Sequence, residues 1–236
     1  MAILKWDQLG ERYYETGVDH GVIYKYDKSS KSFKHGEVWN GLSAVNENPT
    51  GAEANPIYAD NIKYLNLMSA EDFGASIECY ATPNAFKECS GEAVLVPGLI
   101  IGQQTRKLFA VSYRTLLGND AEGVDHGYVL TIIYNCLASP SEEAHTSIND
   151  SPEAASLSYD ISTTPVNTKR YKPTAIVRIN STRVEKSKMD DLERILYGDE
   201  DNDARCPFPD EIIKIISLHP KITLFPGINL YPDRRI

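Results

Sequence analysis

The chain has 236 residues, a formal net charge of −9, and 42% hydrophobic and 24% charged residues. That length supports one large domain with a sizeable core, and the composition is ordinary for a globular protein. The acidic balance disfavours a conventional DNA-binding protein, which needs a basic stripe to displace counterions. No apolar run approaches the length of a membrane span.

The opening MAILKWDQLGERYYE lacks the long apolar core and cleavage site of a signal peptide, so folding in a cytoplasm is expected. GVDHG follows at Gly17–Gly21 and returns at Gly123–Gly127. What comes next, VIYKYD and YVLTIIYNC, is rich in β-branched and aromatic residues, so both copies read as turn chemistry at a strand opening. Adjacent Asp and His point to opposite faces of an extended chain. That speaks against Asp19, His20, Asp125 and His126 meeting around a metal. The sequence around the two copies does not align over a longer period, so no duplication is inferred.

EVWNGLSAV, NIKYLNLM and ASIECY read as strands, and PNAFKECSG as a short helix after Pro83. Residues 46–61, NENPTGAEANPIYADN, hold two prolines and read as a long loop. Period-two alternation is clearest in LFAVSYRT, YVLTIIYNC and SLSYDIST. In the last, Leu157, Tyr159 and Ile161 oppose Ser158, Asp160 and Ser162, the pattern of a half-buried strand with a small polar outer face. TAIVRIN is a further strand. A helix is expected over residues 182–197, with Thr182 and Glu185 as a capping box. Its apolar stripe is Val184, Met189, Leu192, Ile195 and Leu196, and Gly198 stops it. GDEDNDA lacks the central Gly and terminal Glu of a calcium loop and reads as a solvated turn. Residues 217–236 are apolar and Pro-broken, and are expected to dock on this subunit or a neighbour.

The expected fold is therefore mainly β, an antiparallel β-sandwich or partial barrel with one flanking α-helix. No nucleophile elbow, P-loop, GxGxxG or metal-ligand spacing is present. The five histidines are scattered, and Cys79, Cys89, Cys136 and Cys206 show no zinc-like spacing. No catalytic residue, cofactor or metal is expected. Between Arg114 and Lys169 there is no Lys or Arg, while eight Asp and Glu fall there. Such a stretch suits an acidic solvent face, and equally a wall that repels a polyanion.

Five strings, Trp6–Tyr24, Tyr58–Tyr80, Pro97–Asp120, Gly123–Ala154 and Leu157–Val166, resemble the major tail tube proteins of long-tailed, siphovirus-type bacteriophages. The resemblance runs from about Trp6 to Pro207–Ile212 and fades after Ile216. It implies a tail tube domain over residues 1–216, a β-sandwich with a flanking helix, and a C-terminal extension over residues 217–236. Six such subunits close a ring, and stacked rings form the conduit through which double-stranded DNA leaves the virion without being specifically bound. Implied partners are the subunit itself and the tail tip or baseplate, tape measure and tail terminator proteins, with no membrane. The resemblance also makes Asn48, Pro49, Glu53, Asn55 and Pro56, within the loop 46–61, contacts to the next ring. Ser158, Asp160 and Ser162 are the lumen candidates, because their small polar groups and single negative charge suit a bore that must not hold phosphates. The same sequence fits the inner tube of a contractile tail or of a phage tail-like bacteriocin, and less well a β-sandwich binding module, which needs clustered exposed aromatics in a groove.

Overall fold

A computed structural model describes residues 4–141, 143, 145, 147 and 154–217. The extension expected at residues 217–236 lies outside the described residues except for Ser217, the last residue of a helix. The chain begins with β1 (Tyr13–Asp27), β2 (Ser32–Val38), β3 (Leu42–Gly51), β4 (Ala54–Ala59), β5 (Ile62–Met68) and β6 (Glu71–Cys79). Helix α1 (Asn84–Ser90), β7 (Ala93–Val96), β8 (Leu99–Ile101), β9 (Phe109–Asn119), β10 (Gly123–Ala138), β11 (Leu157–Thr163) and β12 (Ile176–Asn180) follow. Helix α2 (Lys186–Tyr197), β13 (Arg205–Cys206) and helix α3 (Pro209–Ser217) end it.

Nine strands form one antiparallel sheet in the order β13-β2-β1-β9-β10-β11-β6-β3, with β12 also paired to β10. β10 organises the molecule. One edge pairs with β9 throughout; the other pairs first with β12 through Val129–Ile133 and then with β11 through Cys136–Ala138. The change of partner falls at a register shift between Ile133 and Cys136, where Asn135 has φ 48°. A bulge of this kind bends a strand and sharpens its twist, and here it hands the sheet from one layer to the next.

The sheet rolls without closing. Ile23, Val111 and Ile133 of β1, β9 and β10 share a core with Ile77 of β6 and Tyr159 and Ile161 of β11. Strands several places apart in the sheet meet only if it curls. Phe86 of α1 plugs the roll, its ring centroid 4.7 Å from those of Trp39 and Tyr159. On the opposite side of the same strands, Tyr24, Leu130, Ile132 and Tyr134 form a second core with Met189, Leu192 and Leu196 of α2 and Ile212 of α3. β9 and β10 are thus apolar on both faces, and Leu130 to Tyr134 are buried without alternation. The partial barrel and its antiparallel strands match the sequence expectation.

Several expectations need correction. The described residues hold three α-helices where one flanking helix was expected: the short α1 agrees with PNAFKECSG, and α3 is additional. The flanking helix starts at Lys186, not 182, because Ser181–Arg183 form a separate 3-10 turn capped by the Asn180 side chain. Glu185 occupies the cap position, but its side chain accepts from Ser187 Oγ and caps no backbone N–H, so the Thr182–Glu185 capping box does not form. EVWNGLSAV is not one strand: it holds the end of β2, a turn at Trp39–Gly41 and the start of β3.

The largest correction concerns residues 46–61. Asn48 and Pro49 belong to β3, Glu53 links β3 to β4, and Asn55 and Pro56 belong to β4. β4 and β5 extend the β3–β6 ribbon past Gly51 and Glu71, and Asp60 and Asn61, both with positive φ, close it as a tight hairpin turn. β3 is the last strand of its sheet, and an edge strand tolerates proline because the missing N–H costs no ladder bond on the open side.

Candidate functional site

The register of β11, β6 and β3 builds one continuous outer face. Ser158, Asp160 and Ser162 stand opposite Glu78, Ser76 and Gly74. Those in turn stand opposite Ala44, Asn46 and Asn48, and Thr50 opposite Asp72 extends the face toward the ribbon. Because side chains alternate along a strand, these residues share one side. Their neighbours Tyr159, Ile161, Ala75 and Ile77 point the other way into the core.

Burial follows the alternation. Ser158, Asp160, Ser162, Asn46 and Asn48 are exposed, and Ser76 and Glu78 half-buried. The eleven positions carry three carboxylates, on Asp72, Glu78 and Asp160, and no Lys or Arg. Polar groups on the face are tied to one another. Asn46 Nδ2 donates to Glu78 Oε1 at 3.0 Å and to Ser76 Oγ at 3.4 Å. The result is a firm, shallow, negatively charged surface of small side chains.

All three lumen candidates therefore lie on this face. Sequence reasoning missed Asp72, Ser76, Glu78 and Asn46. Asn48, expected at a ring-to-ring contact, shares the face with them. The cation-free stretch is not itself one face. It includes β10, largely buried, as well as β11.

The GVDHG copies do not converge. Asp19 and His20 lie at Arg114, whose Nε donates to Asp19 Oδ1 at 3.1 Å. Burial alone would raise the Asp19 carboxyl, but the bonds from Arg114 and His20 and their charges carry it below its ordinary value. His126 pairs instead with Glu122, Nδ1 to Oε2 2.6 Å. Both copies sit inside strand elements at register shifts, where Gly17 and Gly123 have φ near +65°. The second copy opens β10 straight after a turn, as expected, whereas the first lies inside β1 as a bulge, a correction to the strand-opening turn expected there. Among the described residues no group of three or more His, Cys, Asp or Glu is placed to hold a metal, and no helix is long and apolar enough to cross a membrane.

A family model described as phage tail tube protein matches residues 4–194. The chain belongs to the phage tail tube protein family. The match takes in β1 to β12 and all but the end of α2, so it covers every strand of the rolled sheet except the two-residue β13, and all of the wet face of β11, β6 and β3. No curated protein matches the chain. As a tail tube protein it is a structural component of a virion, and its self-association into a tube is a property of the family.

Proposed function

We propose that six copies of this chain close a ring, that rings stack into the tail tube, and that the face of Asp72, Glu78 and Asp160 lines the bore through which DNA passes on ejection. The observation that carries the lumen assignment is the register itself, which gathers eleven small, polar or acidic positions on one exposed face without a cation. A conduit must release its cargo. Each Lys or Arg on its wall adds a phosphate contact and the counterion release that goes with it, whereas a weakly repulsive wall keeps a polyanion centred.

The same sheet supports ring closure. β3 ends it with an open edge, and an unprotected edge invites pairing with another chain. Pairing around a closed rotation axis uses that edge in every subunit and leaves none exposed. The β4–β5 ribbon, which contains Glu53, Asn55 and Pro56 in or beside it, projects beyond the ring plane and reaches the next ring.

Negative-stain microscopy of the purified protein tests the assembly. Six-fold rings or hollow tubes are expected. A protein that stays monomeric at high concentration and is missing from tail particles overturns it.

A further inference from the structure

Two hairpins expose apolar side chains that no described part of the chain covers. On β4–β5, Tyr58 is 68% and Tyr64 67% exposed, and Ile62, Leu67 and Met68 are more than half exposed. On β7–β8, Val94 is 53% and Leu95 57% exposed, with Val96 and Leu99 similar. Patches of this kind mark contacts.

Their placement is opposite. The β4–β5 hairpin leaves the β3–β6 pair at its Gly51–Glu71 end. At the other end, Cys79 pairs with Leu42 and leads through Tyr80–Pro83 into α1. The β7–β8 hairpin grows from the C-terminal end of α1, where Gln104 N–H donates to the Gly91 carbonyl and Lys107 N–H to the Glu88 carbonyl. The two hairpins are thus rooted at the two ends of one strand axis.

Charge differs between the two roots in the same sense. Beside β7–β8 a cleft of about 640 Å³ is lined by Lys25, Lys28, Arg106 and Lys107 against Asp27 and Glu88. Beside β4–β5 stand Glu53, Glu71 and Asp72, with Lys172 across a cleft. One end is net positive and the other net negative.

We infer that the β4–β5 hairpin of one subunit docks on the β7–β8 hairpin of a second copy in the adjacent ring, making a head-to-tail contact. The inference rests on the tube assembly proposed above and names the surface that receives the ribbon. A second copy is the fitting occupant because a family that builds tubes places copies at both ends of each subunit. Both ends here are apolar, and their charges are complementary. The contact is heterologous, each subunit giving one hairpin upward and receiving one below, so it repeats without limit along the axis.

Two variants separate the halves. Tyr58→Asp with Tyr64→Asp disables the ribbon, and Val94→Asp with Leu99→Asp disables the receiving hairpin. Each is prepared alone, checked for native circular dichroism, and sized by sedimentation. Alone, neither elongates. Mixed, the intact hairpin of one meets the intact ribbon of the other, so particle mass doubles and growth stops. Doubling of either variant alone shows like-to-like contact and overturns the inference, as does elongation of either variant or a mixture that does not double.

If a variant fails to fold, Tyr64→Cys with Ile100→Cys in the otherwise unchanged chain serves instead. The four native cysteines are buried, so oxidation with copper–phenanthroline expects a ladder of covalent oligomers from assembled tubes. Dimers only, or no cross-link, overturn the pairing while intact tubes leave the tube assembly standing. An unchanged protein that never assembles removes both.

Discussion

Replacing Asp160 with Lys changes the proposed wall by two charge units per subunit and leaves the fold alone. Asp160 is exposed and makes no side-chain hydrogen bond among the described residues, so stability should change by about 0.5 kcal/mol or less. The new ammonium would stand beside Ser76 on β6 and between Ser158 and Ser162 on β11, with Glu78 as its diagonal neighbour; a surface pair of that kind is worth about 0–1 kcal/mol and leaves the ammonium free to meet a phosphate. In a ring of six, each lysine meeting one phosphate gives a slope of roughly −5 in log affinity against log salt. Raising salt fourfold, from about 50 to 200 mM, then weakens retention by about a thousandfold. The assay is the rate of DNA release from virions carrying the variant, measured across that salt range. Release should stall at low salt and recover as salt rises. Asp190→Lys, on the exposed side of α2, adds the same charge elsewhere and should release DNA like the unchanged tube. Normal release by the Asp160→Lys virions at low salt would remove β11 from the bore.

Other consequences concern the subunit itself. The Tyr24 hydroxyl donates to the Leu196 carbonyl at 2.9 Å, one of the last-turn carbonyls of α2 that lack an intrahelical partner. Tyr24→Phe should therefore cost about 1–3 kcal/mol in urea unfolding, and a loss below about 0.5 kcal/mol would show that this bond does not hold the helix. Arg205, bonded to Glu211, holds that carboxyl below its ordinary value. A depressed folded-state value stabilises above the unfolded carboxylate range and is lost as pH falls through it. The Glu211→Gln variant should thus melt below the unchanged protein at pH 7, with the gap closing toward pH 3; a constant gap would contradict the pairing. Burial pushes the Cys89 thiol up to about 12, and all four cysteines are buried. A maleimide should label none in the native subunit and four in denaturant.

The rolled sheet and one strand of the wet face were legible because burial is one-sided there. In LSYDIST a polar residue alternates with an apolar one, and the structure keeps that alternation. The rest of the face depends on register. Asp160 meets Ser76, and Ser76 meets Asn46, across long stretches of intervening chain, and no local pattern states which strands pair. The β4 ribbon was hidden by Pro49, Gly51 and Pro56, which mark loops in most settings but are tolerated on an open edge. α3 did leave a signal: Pro209 at its first position followed by Asp210 and Glu211 is an N-terminal signature. It was obscured by its nine-residue length and by Pro207 just ahead. The three-to-four-residue error at the start of α2 has another cause. Asn180 accepts from both the N–H and the hydroxyl of Thr182, so the threonine is held in a preceding turn and cannot cap the helix.

The two proposed surfaces are consequences of one topology. β9, β10 and the buried middle of β1, Val22–Tyr24, spend both faces on cores, one inside the roll and one under α2 and α3. Where the sheet passes from β10 to β11, β6 and β3 a wide face remains wet, and that face carries acids without cations. Cations near the roll are occupied. Arg178 of β12 bonds Glu47 of β3, whose other oxygen accepts from Tyr113 at 2.8 Å. Arg114 is held by Asp19 and lies 4.6 Å from the centre of the Tyr128 ring. The remaining asymmetry runs along the strands, from the lysine-lined cleft at β7–β8 to the acidic root of β4–β5. A closed ring of such subunits has two different ends, and stacking them head to tail preserves the difference over any number of rings. That polarity is what the proposed head-to-tail docking of β4–β5 on β7–β8 needs, and it would give a tube of any length two chemically distinct ends.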